Sequence, residues 1–208
     1  CVHELGGVYL DIIKDRMYVT KSNSNARRSA QFALFEVADI LIRLISPVLV
    51  FTAEEIWQSH ELFKKQSVSI FTAPQKTLSE IESSISDEDW KKIFAVKDAV
   101  NQSIEKARAD SVIKGSLDSK IIISCDKKTY NALEKIEDEL KFVFISSEVE
   151  IAESSSSKLD IEVTNFDQKK CIRCWNKCSS VGLYVEDPEI CSRCYTNVYG
   201  DGEIRKFV

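Results

Sequence analysis

Residues 170–205 read KCIRCWNKCSSVGLYVEDPEICSRCYTNVYGDGEIR. Two Cys-x-x-Cys pairs, Cys171/Cys174 and Cys191/Cys194, stand sixteen residues apart. That interval falls within the Cys-x2-Cys-x15–20-Cys-x2-Cys pattern of a tetrahedral zinc site. Zn²⁺ is borderline-soft and takes thiolates readily, and four sulfurs close its coordination sphere. A site with every position filled leaves no place for water or substrate, so the spacing points to one structural zinc ion rather than a catalytic one. Two disulfides and a pair of redox dithiols are the alternatives, though no thioredoxin-like strand and helix surround either pair. Cys178, four residues past Cys174, could replace one ligand, but the two symmetric pairs already complete a site. The 38 residues from Cys171 onward fall below the size at which a chain usually folds without metal or disulfide support.

Working outward, the chain of 208 residues carries a net charge of −5, which argues against nonspecific coating of nucleic acid. From Lys169 on, cations and anions balance once four thiolates on a divalent ion are counted. Any nucleic-acid contact there would rest on placed cations and on Trp175, Tyr195 or Tyr199 as stacking groups, each of which could equally pack on the metal core. No apolar run approaches the roughly 18 residues of a membrane span, and no signal-peptide pattern is present. The remaining cysteines, Cys1, Cys125 and Cys178, are scattered, which fits a reducing cytoplasm. Met17 is the only methionine, so a fragment or a processed chain is expected.

Upstream, the apolar periodicity predicts helices. One starts after Gly6-Gly7, with His3 before it as a surface or capping residue. The next runs from Ala26 to Ile45 with a stripe of Ala30, Ala33, Leu34, Val37, Ile40, Leu41, Leu44 and Ile45. Arg27, Arg28 and Gln31 cluster at its N-terminus, where cations oppose the helix dipole and invite a phosphate. Ser46-Pro47 ends it. Thr52 with Glu55 matches a capping box, and Val48, Leu49, Phe51, Ile56 and Trp57 are expected to face inward. His60 reads as a C-terminal dipole partner and Ser67–Phe71 as a short extended piece. Ser86 with Asp89 opens a helix whose core face is Trp90, Ile93, Phe94, Val100, Ile104 and Ala107; Lys97 interrupts it, with its stem on apolar surface and its charge in water. Beyond it, Lys120–Cys125 reads as a strand, Thr129–Leu140 as a helix, and Phe142–Ile145, Val149–Ile151 and Leu159–Val163 as strands. The expected fold is multidomain and mainly α: a helical bundle (1–108), a small α+β module (109–165) and a C-terminal four-cysteine zinc finger (166–208).

Several stretches together resemble bacterial-type isoleucyl-tRNA synthetase: YLDIIKDRMY (Tyr9 to Tyr18), RRSAQ (Arg27 to Gln31), SPVLVFTAEEIW (Ser46 to Trp57), KARAD followed by GSLDSK (Lys106 to Lys120), LKFVFISS (Leu140 to Ser147) and the finger ending in GDGEIRKF. They follow the family's order and cover nearly the whole chain. The resemblance implies a helical anticodon-binding domain, an α/β junction and a zinc finger that hold the anticodon end of an isoleucine-accepting tRNA. Cys171, Cys174, Cys191 and Cys194 carry over as zinc ligands. Arg27, Arg28, Gln31, Arg173, Trp175, Arg205 and Lys206 are the candidate tRNA contacts. The family's His-Ile-Gly-His-like and Lys-Met-Ser-Lys-Ser-like motifs are absent, so the resemblance implies no catalytic residue here. ATP would serve only the full-length, monomeric, cytoplasmic ligase, whose catalytic domain lies elsewhere in the same chain. Similar fingers end a family of DNA-repair glycosylases, so a DNA-binding module and a purely structural zinc module are the competing readings.

Overall fold

The computed structural model describes residues 2–77, 82–156 and 158–207. Cys1 and the side chain of His3 lie outside what is described, and with them the reading of His3 as a cap. The chain divides into two compact units, one of residues 1–27 with 83–208 and one of residues 28–82.

In the first unit, helical winding is already present from Val2. A wide π-type segment, Val2–Tyr9, runs into α1 (Leu10–Val19). The helix therefore contains Gly6 and Gly7 instead of starting after them. Glycine weakens a helix by about 1 kcal/mol per residue; burial of Ile12 and Ile13, with Val8 packed on the same core, offsets this. Helix α5 (Asp87–Ala109) begins as the sequence predicts. The Ser86 hydroxyl accepts from the Asp89 N–H at 3.2 Å and donates to the Asp89 carboxylate at 2.7 Å. Its buried face is Ile93, Val96, Val100, Ile104 and Ala107, while Phe94 is exposed.

Lys97 departs from its expected place. Its side chain is buried, and its ammonium donates to the Val143 carbonyl at 2.6 Å instead of reaching water. Burial lowers its pKa, against the pull of Asp11 and Asp98. The bond ties α5 to α7 (Leu140–Phe144).

Strand β1 (Ser119–Cys125) is central in a three-stranded sheet, parallel to β2 (Glu148–Glu153) and antiparallel to β3 (Asp160–Asn165). Ile121, Ile123 and Cys125 alternate inward, as period-2 sequence requires. A parallel pair needs a crossover. Here it consists of α6 (Lys127–Glu134), capped by the Asp126 carboxylate, a single 3-10 turn at Glu137–Glu139, and α7. The expected helix over Thr129–Leu140 is thus shorter and broken, and the expected strand at Phe142–Ile145 is helical. Leu140, Phe142, Val143 and Phe144 are all buried. A short apolar run buried on every side has no periodicity to separate strand from helix. Ile145, at φ +55°, ends α7 in the left-handed conformation.

The second unit contains most of α2 (Asn25–Ile45), α3 (Val50–Ser59) and α4 (Glu61–Lys64). Its core is Ile42, Ala53, Trp57, Phe63 and Ile70, with Phe35, Ala38 and Ile45 packed on it. The rings of Phe35, Phe63 and Trp57 stack in series. The core face of α2 therefore differs from the expected stripe: Phe35 and Ile42 point inward and Leu44 is exposed. Only Ala53 and Trp57 of α3 are buried, one turn apart, so its inward stripe is narrow. Val48, Leu49, Phe51 and Ile56 are exposed, Phe51 to 89%. Thr52 lies inside the helix and is not its cap. His60 caps the start of α4, its Nδ1 accepting from the Leu62 N–H at 3.3 Å. Residues Ile70–Thr72 form a 3-10 turn capped by Ser69, where an extended piece is expected. The buried carboxylate of Asp39 is met by Arg43, Lys76 and Gln66 at 2.7, 2.8 and 3.1 Å.

Candidate metal centre

The first cysteine pair sits in a tight knuckle. The Cys171 N–H donates to the Asn176 carbonyl at 2.9 Å, and the Trp175 N–H donates back to the Cys171 carbonyl at 2.9 Å. Trp175 occupies the left-handed region at φ +65°, which closes the turn. Lys170 and Lys177 bridge across its base. The second pair opens α8 (Ser192–Tyr199): Cys191 is the N-cap residue, its sulfur facing the Cys194 N–H at 3.5 Å. The Cys191 N–H reaches across to the Cys171 sulfur at 3.3 Å, joining the two halves.

All four cysteines are buried, and their sulfurs lie within 4.8 Å of one another. Cys174 and Cys191 are 3.7 Å apart. Zinc–sulfur bonds of about 2.3 Å make a tetrahedron with edges of about 3.8 Å, so the arrangement fits a four-thiolate metal ion. Electrostatics agree. Hydrogen bonds from the Cys191 and Cys194 thiols hold Cys174 far below the ordinary thiol range. Cys191 is raised, first by its bond to Cys174, and Cys194 is pushed up to about 12, again first by Cys174. Thiols this close cannot all ionise beside one another, and a central dication removes that conflict.

Among the described residues, the group that could hold a metal ion consists of these two pairs. Cys178 stands outside it, half-buried, with its sulfur 3.2 Å from the Ser180 hydroxyl. Around the sulfurs the buried apolar groups are few: Val19 and Ile190, with Val181 and Tyr195 at the margin.

The other singled-out residues are scattered. The Arg27 guanidinium donates to the Thr20 carbonyl. Arg28 is exposed and donates to Gln31 at 2.8 Å. Arg173 donates to the Val19 carbonyl at 2.8 Å. Trp175 is 62% exposed. Arg205 is buried, pairing with Asp15 and Glu203 over the Phe142 ring. Its guanidinium is turned inward, so the expectation of a surface contact there is corrected. The Lys206 side chain is exposed, while its N–H and that of Phe207 bond the Glu139 carboxylate. Tyr195 and Tyr184 stack at 3.7 Å, and Tyr199 hydrogen-bonds Asp187.

Two features were not read from the sequence. A cavity of about 340 Å³ lies between α1 and the first knuckle, walled by Lys14, Asp15, Tyr18, Arg173 and Trp175 over Phe142. The Asn176 amide oxygen beside it is buried, with no hydrogen-bond partner among the described residues. The second feature is Asp15, which meets two arginines of the cysteine segment. Its signal was present: Val8, Ile12, Asp15 and Val19 recur at helical steps, so a carboxylate stands in a core stripe.

Residues 1–123 match the family described as the anticodon-binding domain of tRNA ligase. The chain belongs to that family. More narrowly, it is 39% identical over 221 residues to the isoleucine–tRNA ligase of Shewanella halifaxensis and 40% identical over 218 residues to that of Alcanivorax borkumensis. Each alignment covers 100% of this chain and 23% of the relative, so the chain spans about a quarter of the length of these curated relatives. The similarity falls on the relatives' C-terminal region. Among the described residues, no helix is long and apolar enough to cross a membrane.

Proposed function

We propose that this chain is the tRNA-holding part of an isoleucine–tRNA ligase, engaging the anticodon end of an isoleucine-accepting tRNA. The family match over residues 1–123 carries this reading. Attachment of isoleucine with ATP would belong to the rest of a ligase of the relatives' length, acting as a cytoplasmic monomer. Functionally the chain divides into a helical anticodon-binding part (1–108), an α/β junction (109–165) and a finger (166–208).

Zinc is the metal we assign to Cys171, Cys174, Cys191 and Cys194, on the four-thiolate donor set and its closed, buried geometry. The ion would hold the knuckles together and take no part in chemistry. For tRNA, the exposed ring of Trp175 offers a stacking face beside a cavity edged by cations. Arg28 and Gln31 at the start of α2, and the side chain of Lys206, are the further contacts; Arg27 and Arg173 have partners within the fold and contribute charge more than reach.

Filter binding at fixed salt, with isoleucine-accepting tRNA against a non-cognate tRNA, tests the reading. Preference for the isoleucine tRNA is expected. Equal weak binding to both, or preference for duplex DNA, would overturn it.

A further inference from the structure

The C-terminal end of α1 is gripped by both halves of the cysteine segment. From the first half, the Arg173 guanidinium donates to the Val19 carbonyl at 2.8 Å. From the second, both terminal nitrogens of Arg193 donate to the two oxygens of Asp15, at 2.7 and 2.8 Å. Arg193 lies between the metal-pair residues Cys191 and Cys194 in sequence. Arg205 bonds the same carboxylate, and Glu203 pairs with both arginines at 3.3 Å. The two guanidinium groups both lie over the Phe142 ring, centred 5.1 and 3.2 Å from it. Nearby, Lys21 donates through its N–H to the buried Asn197 side chain at 3.1 Å and through its ammonium to the Gly200 carbonyl at 2.7 Å. The tail passes so close that a Cβ on Gly202, at φ +90°, would stand 3.1 Å from that of Lys21.

A planar guanidinium held by both oxygens of one carboxylate fixes angle as well as distance. Asp15 is the only acid in this arrangement that α1 itself supplies. Three physical links then separate it from the exposed tryptophan: Asp15 to Arg193, Arg193 to the second cysteine pair, and that pair to the first knuckle through the Cys191 N–H and the Cys171 sulfur. Trp175 closes that knuckle, and with Asp15, Tyr18 and Lys14 of α1 it walls the cavity of about 340 Å³, so Asp15 borders the cavity as well as holding the arginine. The cavity's width is therefore set by how the cysteine segment is seated on α1.

We infer that Asp15 is a positioning residue for tRNA binding: it seats the cysteine segment on α1 and so fixes where Trp175 stands opposite Tyr18 and Lys14. The inference rests on the function proposed above. It assigns Asp15 no contact with nucleic acid and no ligation of metal. A site whose parts are misplaced loses affinity even when every part is present.

The test compares the whole chain as wild type, Asp15→Ala, Asp15→Glu, Trp175→Ala and the double variant Asp15→Ala/Trp175→Ala. Metal per chain and affinity for isoleucine-accepting tRNA at fixed salt are measured for each. Asp15→Ala is expected to bind the tRNA about tenfold more weakly while keeping its metal, and Asp15→Glu to recover most of the loss. In the Trp175→Ala background the same change is expected to cost less than about twofold, because both residues act through one ring. Should Asp15→Ala fail to fold, Asp15→Asn carries the same expectations. Unchanged affinity in Asp15→Ala overturns the inference, and so does a full tenfold loss that persists without the tryptophan. Metal loss in step with weaker binding also overturns it, by making Asp15 a support of the cluster and not of its placement. A wild type that does not prefer the isoleucine tRNA overturns the functional reading instead.

Discussion

Two cores in the same unit are built from different materials. The sheet core gathers Ile93, Val100, Ile121, Ile123, Leu133, Val143 and Phe144 around β1, and excluded water stabilises it. The cysteine core has four sulfurs and hardly more than Val19 and Ile190 to bury, so with a metal ion on those sulfurs, as proposed, its cohesion would come from coordination. Hydrophobic burial is diffuse and tolerates substitution. Coordination is concentrated in four atoms and is lost at once if any of them is lost.

The largest expected effect follows directly. Removing the metal we assign to the four sulfurs, by chelation or by Cys174→Ser, should withdraw on the order of 10 kcal/mol of apparent stabilisation. Hydrogen exchange should then show amides over 171–199 losing protection while those of β1 keep theirs; simultaneous loss in both regions would break the contrast. Ile123→Ala should act in the reverse sense, costing about 4 kcal/mol in a denaturant titration while metal content stays at one per chain.

The unit of residues 28–82 sharpens the comparison, because its core includes a buried carboxylate. Burial pushes the pKa of Asp39 up, but hydrogen bonds from Lys76, Arg43 and Gln66 outweigh it and the net shift is downward. A depressed carboxylate contributes stability above its unfolded value, near 3.9, and loses it as pH falls through the folded value. Asp39→Asn should cost about 3 kcal/mol near neutrality and flatten that acid limb in pH-dependent melts. The smallest effect belongs to Lys97. Its pKa is lowered, so the unfolded chain holds the extra proton, and stability should rise with pH from the folded value up to about 10.4. Lys97→Met removes this slope and shifts stability at neutral pH by about 1 kcal/mol or less, since it frees the Val143 carbonyl while removing a buried charge.

The cysteine cluster was the most legible part of the chain, because metal ligation demands fixed residue types at fixed intervals. The central strand and the start of α5 were legible for a related reason: Ile121-Ile122-Ile123 and Ser86/Asp89 are local signals for local structures. What failed was orientation. Helix α2 is apolar on more than one face, and periodicity alone could not say that Phe35 and Ile42 turn inward while Leu44 turns out. Thr52 and Glu55 carry the capping-box residue types, yet Thr52 falls inside a helix that starts at Val50. Phe142–Ile145 has strand composition, but its buried residues Phe142, Val143 and Phe144 are helical. The inward turns of Lys97 and Arg205 depend on partners far along the chain, Val143 and Asp15, which no local window contains.

The Asp15–Arg193 pair also bears on the order in which the chain can fold as it is made. Its partners are 178 residues apart, and at ribosomal rates of about 5–20 residues per second the second appears roughly 10–35 s after the first. During that interval α1 has emerged without the cysteine segment that will cover its end. Residues 28–82, by contrast, form a contiguous unit that can close as soon as it clears the exit tunnel. The first unit must wait for Arg193, so synthesis stalled after residues 28–82 have emerged but before Arg193 should leave nascent chains with one closed unit and one open one, a state that proteolysis of the stalled ribosome complexes would detect.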